Sequence, residues 1–146
     1  MGPEVPMTAS DRNARGAGSV RHIHTGLPER ADSLFSWAVA ANGTLCTAQI
    51  PVGADGALVS GGIEAQTEQV FENLFRTLEA AGATAGDVAQ VLIYVTDRAW
   101  LPFVNAVWLR HFRAPFPNRA SFVVAGLARE EMLIEIVAYA GVANNA

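Results

Sequence analysis

The stretch MLIEIVAYA, Met132 to Ala140, decides how the chain is read. It holds one charged residue, Glu135, among side chains that are aliphatic or alanine apart from Tyr139. Such a run reads as a buried strand. A carboxylate inside it is costly to bury unless it is paired or protonated. Glu135 is therefore turned to water, locked in a structural pair, or kept for chemistry.

Working outward, the nearest upstream strand is RASFVVA, Arg119 to Ala125, in the segment RASFVVAGL. If these two strands form a direct hairpin, the turn centres on Ala128 and Ser121 faces Glu135. Arg119 then lies one diagonal step away, about 7–8 Å, within reach of an arginine side chain. The final strand has a second option, a slot elsewhere in a mixed sheet. In either layout Arg119 and Glu135 are expected near one another among apolar residues. Two readings follow. One is a partly buried ion pair, or two edge residues reaching water. The other is functional: Arg119 holds a substrate carboxylate through its planar fork, and Glu135 serves as acid and base.

The rest of the chain sets the frame. SVRHIHT (Ser19–Thr25) alternates in polarity and predicts a first strand. FSWAVAANGTLCTAQIPV carries two apolar runs around Asn42-Gly43, a hairpin signal because both turn positions need positive φ. A second turn falls at Asp55-Gly56. IEAQTEQVFENLFRTLEAAG predicts a helix, with Ile63, Val70, Leu74 and Leu78 on one stripe and Gly82 as the stop. DVAQVLIYVTD predicts a buried strand. WLPFVNAVWLRHF predicts a second helix, with Pro102 in its first turn.

The order is β-β-β-α-β-α-β-β, an α+β unit with a mixed six-stranded sheet and both helices on one face. Residues 19–146 are expected to form one domain and residues 1–18 a flexible extension. The other sheet face is left without a cover, and its apolar side chains call for another subunit. A hydrophobic content of 51% against 16% charged points the same way in a chain of only 146 residues.

Net charge is −4 and no basic run is present, so the electrostatic footprint of a nucleic-acid binder is missing. The single cysteine, Cys46, excludes an internal disulfide framework, and no segment has the length and apolarity of a membrane-spanning helix. A cytoplasmic location is expected. His22 and His24 form an H-x-H pair, but no further ligand spacing completes a metal site, and no cofactor is implied.

Five segments together resemble the reactive intermediate deaminase (Rid) family, also called the YjgF/YER057c/UK or endoribonuclease L-PSP family. They are TAQIPV, QTEQVFENLFRTLEAAGATAGDVAQVLIYVTD, FVNAVWLRHF, FPNRASFVV and LIEIVAYA. The resemblance runs from about Ser33 to Ala140. It implies a chorismate-mutase-like fold, a homotrimer with clefts between subunits, and hydrolysis of enamine or imine intermediates such as 2-aminoacrylate to 2-keto acids and ammonia. By resemblance, Arg119 holds the substrate carboxylate and Glu135 positions or activates the attacking water. Asn105 and the backbone around Thr47 and Ala48 line the cleft.

The chain departs from the family pattern in three places. Phe35 stands where a tyrosine is usual and lacks its hydroxyl. Ser121 stands where a cysteine is usual. Thr47-Ala48-Gln49 replaces Ser-Gly-Gln. Phe35 and Trp37 are expected to share a strand face. They either pack at a subunit interface or shape a cleft for a bulkier substrate. The leading expectation is therefore an imine/enamine deaminase. The alternatives are a non-catalytic trimer that binds a carboxylate metabolite and, against the acidic balance, a ribonuclease.

Overall fold

The structure, a computed structural model, describes Gly2 and residues 19–144. Apart from Gly2, the expected N-terminal extension lies outside the described residues. The elements are β1 (Arg21–His22), β2 (Ala38–Ala41), β3 (Thr44–Gln49), α1 (Gly62–Ala80), β4 (Val88–Val95), α2 (Leu101–His111), β5 (Asn118–Val123) and β6 (Ile134–Gly141). This is the expected order. β1 is shorter than the alternation of Ser19–Thr25 predicts. Beyond it, the Ile23 amide continues the pairing, donating to the Ala38 carbonyl at 3.1 Å.

The β2–β3 hairpin turns at Asn42 and Gly43, with φ of 52° and 78°. Both are positive, as a two-residue turn matched to strand twist requires. The stop of α1 is equally local. Gly82 takes φ 74°, the Ala83 amide donates to the Leu78 carbonyl and the Gly82 amide to that of Glu79. Those two bonds close the helix end that Gly82 predicts.

The six strands form one sheet in the order β1-β2-β3-β6-β4-β5. Only β4 and β5 are parallel, joined across α2; every other neighbouring pair is antiparallel. The direct β5–β6 hairpin does not form. β6 instead fills the slot between β3 and β4, and Glu135 faces Tyr94, not Ser121. The physical reason lies in the strand itself. A run this apolar gains most from a central place, where both backbone edges find partners and one face meets the helices.

Both helices cover the same face. Val70, Phe71 and Leu74 of α1 and Val104, Val107 and Trp108 of α2 pack there against alternate residues of β4 and β6. Nothing among the described residues covers the opposite face, where Tyr94, Glu135, Val137 and Tyr139 are half-buried and Phe122 is exposed. α1 also carries buried polar side chains. Gln66 accepts from the Leu133 amide (2.7 Å) and donates to the Glu131 carbonyl (2.9 Å). A side chain thereby holds the backbone that leads into β6.

Candidate active site

The sheet register sets where the ionic residues point. Arg119 pairs with Val91, whose side chain lies in the helix-side core, so Arg119 projects to the helix face. It does so from β5, the edge strand. Its Nε donates to Ser121 Oγ at 3.2 Å, and Nη2 donates to Asn105 Oδ1 at 2.7 Å. The guanidinium carbon lies 4.9 Å from the centroid of the Trp108 ring, a cation–π contact. Asn105 and Trp108 are three residues apart on α2, one helical turn, and so both reach the same strand. Among the described residues two of its five N–H groups are engaged, which holds the planar fork in one orientation. Burial lowers the pKa of Arg119, though an arginine stays charged at any working pH.

Glu135 projects to the other face. Its neighbours in sequence, Ile134 and Ile136, are fully buried under the helices. Across the β4 edge it faces Tyr94, which stacks on Phe122 with ring centroids 5.3 Å apart. Across the β3 edge Ala48 faces Val137, so Ala48 and Glu135 are diagonal neighbours on one surface. Burial raises the Glu135 pKa, which favours the neutral acid. Among the described residues the ion pairs are Arg30–Asp32, Glu68–Arg110 and Glu68–His111. The expected nearness of Arg119 and Glu135 is thus corrected: within one chain β4 separates them and they point to opposite faces.

The remaining candidates divide. Asn105 and Ser121 join Arg119. Ala48 joins Glu135, while the Thr47 side chain turns inward and donates to the Trp37 carbonyl at 2.6 Å. Phe35 and Trp37 are not on a strand, because β2 starts only at Ala38. They still stand together, edge to face at 5.2 Å, with Trp37 buried and Phe35 58% exposed. Sequence reasoning assigned no part in the site to Trp108 or Tyr94. The signal for Trp108 was its helical spacing from Asn105; for Tyr94, no signal existed before the register was known. His22 bonds to Ser36 Oγ at 3.0 Å, and no group of three metal-ligating side chains occurs among the described residues.

Residues 28–142 match the family model described as Endoribonuclease L-PSP. The chain belongs to that family, the Rid family. A RutC family protein of Pyrococcus horikoshii is 36% identical over 108 residues, 72% of this chain and 86% of that protein. The 2-iminobutanoate/2-iminopropanoate deaminase of Homo sapiens is 33% identical over 87 residues, 59% of this chain and 64% of that protein. A solved structure of a Rid-family protein of unknown function from Yersinia pestis superposes with a TM-score of 0.79 at 33% identity. It covers 85% of this chain and 100% of that one. The mixed sheet with two helices on one face is therefore a Rid fold in topology as well as in sequence.

Proposed function

We propose that this Rid-family chain is an imine/enamine deaminase acting on small carboxylated intermediates of the 2-aminoacrylate type. The observation that carries the reading is the preset fork of Arg119, fixed by Asn105, Ser121 and Trp108 at a sheet edge. Such a fork accepts a carboxylate in bidentate fashion without first having to be ordered. The deaminase names of relatives support the choice of reaction.

Once the enamine has tautomerised to the imine, Glu135 takes a proton from water as the oxygen attacks the imine carbon. The nitrogen is protonated, the C–N bond of the adduct breaks, and 2-keto acid and ammonia leave. A carboxyl with a raised pKa suits both halves of this transfer. The placement of Arg119 and Glu135 on opposite faces supports a site completed between copies. The β5 edge of one subunit meets the open sheet face of the next in a closed trimer.

The test is hydrolysis of 2-aminoacrylate generated in the assay by a lyase, with 2-keto acid release as the readout. Arg119→Ala and Glu135→Gln should each lower turnover by about 10²-fold or more. Full activity in both variants would sink the mechanism. One observation favours a second reading, a carboxylate-binding trimer without turnover: Phe35 supplies no hydroxyl to the cleft. Saturable pyruvate binding with no imine hydrolysis would select it.

A further inference from the structure

A chain of buried and half-buried side-chain hydrogen bonds runs from α1 to the loop that carries Phe35. Gln69 donates to Asn73 Oδ1 at 2.9 Å. Asn73 Nδ2 donates to the carbonyls of Ile50 (3.3 Å) and Val52 (2.9 Å). One turn later Thr77 Oγ1 donates to the Asn73 carbonyl at 2.9 Å. Gln49, with no exposed surface, donates from Nε2 to Thr77 Oγ1 at 3.0 Å and to Thr47 Oγ1 at 2.8 Å. Thr47 in turn donates to the Trp37 carbonyl at 2.6 Å.

The direction of these bonds is fixed. Both threonine protons are committed to carbonyls, so both oxygens can only accept from Gln49. The amide must therefore present its NH₂ to them, and its Oε1 meets no protein donor among the described residues. Flipping the amide would set acceptor against acceptor. As a packing solution this is poor. A methionine fills the same space without burying an amide, and the threonines keep the bonds they donate. What the amide does supply is geometric. It ties α1 to β3 on either side of Ala48 and, through Thr47, to the backbone of Trp37, whose ring meets that of Phe35 edge to face.

We propose that Gln49 is a positioning residue for the cleft, setting the Ala48 backbone beside Glu135 and holding the Trp37–Phe35 wall in register. The proposal rests on the reading of Ala48, Glu135 and Phe35 as cleft residues. It separates binding from stability. Gln49→Met should raise KM for 2-aminoacrylate about tenfold, with kcat within about threefold of wild type. Its melting temperature should be unchanged or higher. Thr77→Val should shift KM in the same direction, and Thr77→Ser, which keeps the accepting oxygen, should restore it.

A fall in melting temperature with KM unchanged would reduce the network to a structural brace and overturn the proposal. So would no change in either quantity. Pyruvate binding measured by calorimetry separates this outcome from failure of the deaminase reading. If the wild type hydrolyses no imine but binds pyruvate, Gln49→Met should weaken that binding about tenfold, and unchanged affinity overturns the proposal. A wild type that does neither overturns both.

Discussion

Glu135 is a carboxyl raised in pKa by burial, with no cation paired to it among the described residues, and this has a sign that can be worked out. The folded state holds its proton to a higher pH than the unfolded state does. Folding therefore loses stability as pH rises from the ordinary glutamate range through the raised value. Glu135→Gln removes that loss. The variant should melt higher than wild type near pH 8 and no higher near pH 4, as followed by thermal denaturation in matched buffers. The same shift moves the acid limb of the turnover profile upward from that of an ordinary carboxylate, because the base form is populated at higher pH. Arg119 supplies the contrasting case. Arg119→Lys keeps the charge but loses the planar fork and the stack on Trp108, and should raise KM about tenfold with little change in kcat. At this scale the sequence was informative about chemistry and poor about direction. Arg119, Asn105 and Ser121 were all named from it and are found bonded together. That Glu135 points away from them depends on strand register, which no short stretch encodes.

Among the elements, those with local signals were the legible ones. Asn42-Gly43 demanded a hairpin, Gly82 a helix stop and Pro102 a first turn, and each acts where it stands. β6 was legible as a strand but not in its place. Its pairing with both β3 and β4 is a long-range choice, made by burial of one apolar face and by the need to satisfy both backbone edges. Gln66 shows how that choice is reinforced. Its amide bonds to the backbone of Glu131 and Leu133 just before β6 begins. Gln66→Leu should leave that amide and carbonyl without these bonds and cost about 2–3 kcal/mol of stability. A lowered denaturant midpoint with unchanged slope would report it. A midpoint equal to wild type would mean that the β6 entry is held by packing alone.

For the molecule as a whole, the opposition of Arg119 and Glu135 across the sheet bears on how the site is assembled. The open face carries Val137, Tyr139 and Tyr94, and the β5 edge adds Phe122 and Val123 at 44% and 49% exposure. Unpaired edges with exposed apolar side chains ask for a partner. If Arg119 of one copy works with Glu135 of the next, two inactive variants can restore each other. Arg119→Ala retains Glu135, and Glu135→Gln retains Arg119. In a closed ring of three, every mixed trimer then contains one interface with both native residues. Random mixing of equal amounts gives three mixed trimers in four, so about a quarter of the wild-type site count should return. The measurement is imine hydrolysis after the two variants are unfolded together and refolded, against each refolded alone. If both residues served within one chain, no mixture could hold an intact site, and recovery at the level of the separate variants would reject the shared cleft.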